Sequence, residues 1–180
     1  MYHPTPQQCM RLLEGYDTPS HVRAHCRAVA HAAYLMGREL NKHGHHFDLD
    51  LVLAAGLLHD IARVEEDHAA SGALIMRELG CEEEAAIIEA HMKYGPFSDI
   101  EDATETDMIC LADRTVKENS YVGLEERMQY LIDKVTRLGR AHRIPSILEK
   151  KKDTKRFILQ IEDKIGMTLD ELLEKAVHED

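Results

Sequence analysis

The stretch "VLAAGLLHDIARVEEDHAA" (residues 52–70) decides how this chain is read. From Val52 to Leu58 every residue is apolar or glycine, the composition of a helix buried on all sides. His59 and Asp60 then stand side by side, and Ile61 and Ala62 resume the apolar run. Burying an imidazole and a carboxylate together is costly unless something compensates both. Consecutive helical residues point about 100° apart. His59 and Asp60 therefore straddle a wedge that other helices can fill with further groups.

Working outward, the same oddity recurs in four places. His25 lies among alanines and Val29, His68 opens the small-residue segment "HAASGALIMRELG", His91 ends "AAIIEAH", and Asp113 interrupts "MICLADR". Each comes from a different helix or helix end. Imidazole and carboxylate donors without a nearby Cys suit one or two divalent transition-metal ions, Fe, Mn, Ni or Zn, with Mg also admitted. His25, His59, Asp60 and Asp113 form one candidate ligand set. His68 and His91, with Asp60 bridging, form a second. Taken singly, each residue also fits a satisfied core histidine, a helix cap or half of an ion pair; only the ordered set favours a metal. His21 lies one helical turn before His25 and is placed near the surface. His43, His45 and His46 fall in the loop "NKHGHHFDLD" (41–50) and read as surface residues.

The rest of the chain is helical in composition. It has 180 residues, 44% hydrophobic and 31% charged, with few aromatics and no Trp, and Ala, Leu, Glu, Arg and Met dominate. An all-α fold follows: a single compact helical domain over 1–140, with residues 141–180 as a helical extension of it. Helices are expected over 5–15, from Pro19 with Thr18 as N-cap, from Leu51 through Ala62 with Asp50 as cap, and over 68–80, 81–95 and 104–119. Three more follow Gly123, Ser146 and Thr168, the last with a Thr168/Glu171 capping box.

The net charge of −11 disfavours a nucleic-acid partner, and no apolar run approaches the roughly 20 residues of a membrane span. The basic run "EKKKDTKR" (149–156) reads as a solvated helix face. Cys9, Cys26, Cys81 and Cys110 form no CxxC motif, and the amino terminus does not read as a signal peptide. Reduced thiols in a cytoplasmic protein are expected.

The ordered pattern H…HD…H…H…D, carried by "AHCRAVAHAA", "AAGLLHDIAR", "HAASGALIMRELG", "IIEAHM" and "ICLADR", resembles the HD-domain superfamily of metal-dependent phosphohydrolases. "HDIAR" is similar to the HDIG/HDxxK variant, and the likeness spans roughly residues 5–130. It implies an HD-domain helical bundle. His25, His59, Asp60 and Asp113 match the four defining ligands, and His68 and His91 match the added histidines of two-metal members. Asp60 and Arg63 would carry the chemistry. Arg63, with Lys93, Arg114 and Lys117, would bind substrate. Arg127 is expected to pair with a carboxylate of its own or a neighbouring helix.

"HMKYG…DMICLADRTVKENSYVGLEER" is in part similar to YqeK-type diadenosine tetraphosphate hydrolases, with "TVKENSYVG" in place of their "IEPGR"-type stretch. Cyclic-di-GMP phosphodiesterases and (p)ppGpp hydrolases of the superfamily match less well. The resemblance implies a small phosphorylated substrate, a nucleotide by preference, with no nucleic acid, no membrane and a homodimer left open. A catalytically silent metal- or nucleotide-binding sensory module is the alternative. A helical interaction protein whose His and Asp residues are structural is the third reading.

Overall fold

The centre of the molecule is the helix that the quoted stretch predicts. In the computed structural model, which describes residues 3–175, α3 (Leu49–Leu58) lies between two hydrophobic clusters and feeds both. Leu51, Val52 and Ala55 enter one; Ala54, Leu57 and Leu58 enter the other. A helix that is apolar all round needs two such faces to cover it.

The first cluster is built by α2 (Ser20–Lys42), α3 and α6 (Glu105–Asp113), with α8 (Ile144–Ile165) and α9 (Leu169–Lys175). The second joins α1 (Pro6–Gly15), α4 (His68–Glu78) and α5 (Glu82–Ala90) to the other face of α3. Between α6 and α8 lie a short hairpin, β1 (Val116–Lys117) with β2 (Ser120–Tyr121), and α7 (Gly123–Arg137). The architecture is all-α: nine α-helices among the described residues, with this two-residue hairpin beside them. None of the described helices is long and apolar enough to cross a membrane.

The α2–α3 crossing is close because α3 carries a glycine there. A Cβ on Gly56 would sit 2.8 Å from Ala30 Cα and 3.0 Å from its Cβ, so any side chain would push the helices apart. Gly72 plays the same part between α4 and Ile88, which a Cβ would meet at 3.0 Å.

Several boundaries differ from the sequence expectation, each for a local reason. Thr18 does not cap α2. Its hydroxyl is buried and donates to the Ile61 carbonyl at 2.8 Å, while Pro19 stands at the N-cap without a side-chain bond. Asp48, not Asp50, caps α3, accepting from the Asp50 and Leu51 N–H groups. α3 stops at Leu58 instead of running to Ala62. Beyond it the chain tightens into i→i−3 bonds, Ile61 to Leu58, Arg63 to Asp60 and Glu65 to Ala62. α5 likewise ends at Ala90, short of Gly95.

The largest departure follows Asp113. Residues 114–119 do not extend α6. Thr115 returns its hydroxyl to the Leu111 and Ala112 carbonyls, and β-branched Val116 pairs with Tyr121. Glu118, at φ 53°, then supplies the left-handed residue that a two-residue hairpin loop requires.

The carboxy-terminal helices extend the core. Phe157, Ile161 and Ile165 of α8 and Leu169, Leu172 and Leu173 of α9 are buried in the first cluster. The basic run on α8 is only partly a solvated face. Lys150, Lys152 and Lys155 are exposed, but Thr154 is buried and Arg156 donates to the Phe97 carbonyl and pairs with Asp99 and Asp153. Phe157 stacks on Phe97 with centroids 4.7 Å apart, so α8 holds the loop that leads into α6.

Candidate metal centre

The fold brings the six predicted ligands from five segments to one place, most of them at helix ends. His59 is the C-cap of α3, Asp60 follows in the tightened turn, His68 opens α4, His91 is the C-cap of α5, Asp113 closes α6, and His25 projects from α2. Helix ends suit this work, because the backbone there has spare carbonyls that can fix a ring. The His59 Nδ1–H donates to the Gly56 carbonyl at 2.8 Å and the His91 Nδ1–H to the Ile88 carbonyl at 2.6 Å. The His25 Nδ1–H donates to the Glu118 carbonyl at 2.8 Å. A carbonyl only accepts, so Nδ1 carries the proton in each ring and Nε2 is turned inward. The hairpin absent from the sequence expectation is thus what orients His25.

The inward atoms converge. His25 Nε2 lies 2.9 Å from Asp113 Oδ1, His59 Nε2 lies 4.0 Å from that oxygen and 3.7 Å from Asp60 Oδ2. His68 and His91 place Nε2 at 3.3 and 3.7 Å from Asp60 Oδ1. Two groups whose ligand atoms all lie within 4.8 Å of one another result, His25/His59/Asp60 and Asp60/His68/His91, with Asp60 in both. Among the described residues, His59 Nε2, His91 Nε2 and Asp60 Oδ1 are buried without a hydrogen-bond partner. Buried polar atoms are normally satisfied, and three together, one carboxylate oxygen and two imidazole nitrogens, have the donor chemistry of a divalent transition metal.

The carboxylates and imidazoles of the cluster shift one another's protonation. Burial works to raise the Asp60 and Asp113 carboxyls, but neighbouring groups prevail and hold both below the usual range: His59, His91 and Arg63 around Asp60, and His25, His59 and Arg127 around Asp113. Burial depresses the His59 and His68 imidazoles, which keeps them neutral and able to ligate. Burial also opposes charge on His25 and His91, but the hydrogen bond of His25 to Asp113 and the closeness of His91 to the Asp60 carboxylate raise them.

A cleft of about 870 Å³ opens onto this centre, lined by His25, Asp60, His91 and Asp113 on one side and by α7 and α8 on the other. Arg63 stands at its mouth with its Nε 3.6 Å from Asp60 Oδ2 and Nη1 3.0 Å from His68 Nε2. The structure does not gather the other cations expected to bind substrate around the metal. Lys93 lines a neighbouring cavity of about 540 Å³. Lys117 pairs with Glu126 at 3.2 Å and covers the Tyr130 ring. Arg114 touches both cavities, but its guanidinium donates to Thr154 and to the Tyr94 carbonyl and lies over Phe97.

Arg127 corrects the expectation in the other direction. Among the described residues no carboxylate lies within ion-pair distance of it, its Nε is buried and unpartnered, and it lines the cleft beside Tyr130. Its sequence setting, "GLEER", offers two adjacent glutamates and hides this. His21 is exposed at the cleft rim, and His43 and His46 are exposed in their loop.

Comparison with known proteins shows the family of the chain. Residues 22–167 match the family model described as the HD domain, which extends the likeness through α8. The chain is 41% identical over 75 residues to an uncharacterized protein of Methanocaldococcus jannaschii, covering 39% of this chain and 44% of that one. It is 32% identical over 96 residues to a tRNA (cytidine(56)-2'-O)-methyltransferase of Thermoplasma volcanium, covering 51% of this chain and 27% of that one. The chain thus spans less than half the length of either curated relative. No solved structure matches. HD domains bind divalent metals and form a superfamily of metal-dependent phosphohydrolases, and the match over most of its length makes this chain a member of the HD-domain family.

Proposed function

We propose that this chain is a metal-dependent phosphohydrolase that cleaves a phosphate ester or anhydride bond of a nucleotide or related small phosphorylated compound. The observation that carries the reading is the buried, unpartnered trio of His59 Nε2, His91 Nε2 and Asp60 Oδ1 at the floor of an open cleft. His25, His59, Asp60 and Asp113 would hold one divalent ion, and Asp60, His68 and His91 a second. Such ions supply Lewis acidity toward a phosphoryl oxygen and lower the pKa of water.

The chain's own part is to place and neutralise. The Gly56, Ile88 and Glu118 carbonyls fix three rings with Nε2 turned inward, so that an ion held there would be bound with little reorganisation of these side chains. Arg63 is 42% exposed at its side chain and reaches from the ligand shell to the cleft mouth. It would hold a phosphoryl oxygen by charge-assisted hydrogen bonds. The cleft volume falls within the range of sites for nucleotide-sized ligands. Val22, Met128, Leu131 and Ile147 give part of it an apolar lining on which the uncharged body of such a ligand can rest.

The test is metal analysis and a substrate panel on one preparation: diadenosine tetraphosphate, nucleoside mono-, di- and triphosphates, and cyclic dinucleotides, each with Mn²⁺ or Fe²⁺. Metal-dependent release of phosphate or nucleotide supports the reading. Tight nucleotide binding without product in every case moves the assignment to a sensory module, and protein that retains no metal removes both.

A further inference from the structure

The wall of the cleft opposite the metal ligands is basic, in a chain whose net charge is −11. Arg127 and Lys134 on α7 and Lys150 on α8 line the same cavity as His25, Asp60 and Asp113. Among the described residues, none of these three cations has a carboxylate within 4.0 Å, although α7 and α8 carry five Asp or Glu residues from Glu125 to Asp153 that could have supplied one. Those acids serve elsewhere or face solvent: Glu126 pairs with Lys117, Glu125 with Lys151, and Asp153 with Arg156.

Further positive charge stands beside this wall. Lys150 has Arg114 and Arg143 beside it. The Arg127 guanidinium is held over the Tyr130 ring at 5.6 Å, with a buried, unpartnered Nε. Asp113 acts on Arg127 and Lys150 only from beyond ion-pair distance, so like charges around this concave surface cost free energy that an anion in the cleft would recover. The two aspartates of the metal centre cannot serve as that anion for Lys134 or Lys150, since neither lysine reaches them within ion-pair distance.

We propose that the α7–α8 wall is a second anion subsite, made by Arg127, Lys134 and Lys150, so that the ligand of this cleft carries a second phosphoryl group beyond the one at the metals. The inference rests on the hydrolase reading for the position of the first phosphoryl group, and it narrows the substrate class. A lone phosphomonoester with a neutral body leaves the wall uncompensated. A phosphoanhydride chain or a bisphosphorylated nucleoside fills it.

Binding by titration calorimetry separates the cases, using Mn²⁺-loaded and metal-stripped protein. Tripolyphosphate is compared with inorganic phosphate, and adenosine 3′,5′-bisphosphate with adenosine monophosphate. The wild type is expected to prefer at least one of the doubly charged probes by about tenfold or more, the scale of one added charge-assisted hydrogen bond. Lys134→Gln with Lys150→Gln should erase that preference while leaving the monophosphorylated probe unchanged. The probe that shows the effect tells a contiguous chain from separated phosphates. Arg11→Gln with Lys155→Gln removes the same charge from exposed positions outside the cleft and should change nothing. A preference that survives in the cleft variant, or that falls equally in the control, overturns the proposal. Preference retained without any turnover removes only the hydrolase reading, and turnover with no preference removes only this one.

Discussion

Two buried carboxylates, Asp60 and Asp107, show what distinguishes a site from a scaffold in this molecule. Asp107 is 0% exposed and Asp60 6%. Asp107 accepts from the Tyr94 hydroxyl at 2.8 Å, the Ser98 N–H at 3.2 Å, and the Thr104 N–H and hydroxyl at 2.8 and 2.9 Å. Four donors compensate its burial, and in return it ties residues 94–104 to the start of α6. Asp60 has charged and ring neighbours at 3.3 to 3.7 Å, but its Oδ1 receives no hydrogen bond from any described residue. Burial of a carboxylate alone therefore says little about function. Whether its lone pairs are already spoken for says a great deal.

The contrast can be broken most forcefully at Asp107. Asp107→Ala strands four donors in a buried loop, and we expect a loss of about 3–5 kcal/mol in urea unfolding of the metal-free protein. Asp60→Asn should act mainly on the metal: affinity, read by competition with a chelator, falls by more than about 100-fold, while the metal-free unfolding free energy falls by only about 1–2 kcal/mol, the contribution of neighbours that favour the charged carboxylate in the fold. If Asp60→Asn destabilises the metal-free protein as much as Asp107→Ala does, the distinction fails.

Thr18→Val sharpens it further. The substitution keeps shape but leaves the Ile61 carbonyl without its donor, with an expected cost of about 1–3 kcal/mol. Because that carbonyl lies one residue from Asp60, metal affinity should also drop, by about tenfold. An unchanged affinity would show that the turn is held by its i→i−3 bonds alone.

The smallest effect concerns His3, whose Nδ1 lies 2.7 Å from buried Glu84. Burial opposes its charge, but the Glu84 bond, with Asp48 and Glu83, raises its pKa above the ordinary 6.5. A raised folded pKa contributes stability that is full below the unfolded pKa and is lost as pH rises through the folded value. The stability difference between wild type and His3→Ala should therefore shrink from about pH 6 to about pH 8, as measured by unfolding at each pH. A difference that grows over that range would place the ion pair elsewhere.

Much of the centre was legible because its residues violate the pattern around them. His59, Asp60, His68, His91 and Asp113 stand out against apolar helices, and their order was enough to group them. Asp107 shares that violation, in "TETDMICLADR", yet it serves as a capping-box acid and carries no sign of its partners in sequence. Arg127 was hidden for the converse reason. It lies among carboxylates it does not touch, because α7 turns Glu125 and Glu126 toward Lys151 and Lys117. The hairpin at 116–121 was hidden because "TVKEN" continues a helical run. Its β-branched residues and the left-handed Glu118 prevail only when Tyr121 and Val122 return to pair.

The sequence by itself determined the all-α class, the central buried helix and which polar residues interrupt the apolar helices, because each follows from local polarity and spacing within one segment. Only the tertiary structure decided which donors are spent and which remain free. It turned three imidazoles inward through the Gly56, Ile88 and Glu118 carbonyls, satisfied Asp107 while leaving Asp60 open, and set a wall of unpaired cations across the cleft. Those outcomes depend on hydrogen-bond partners up to 93 residues apart, and no local pattern encodes a partner that far away.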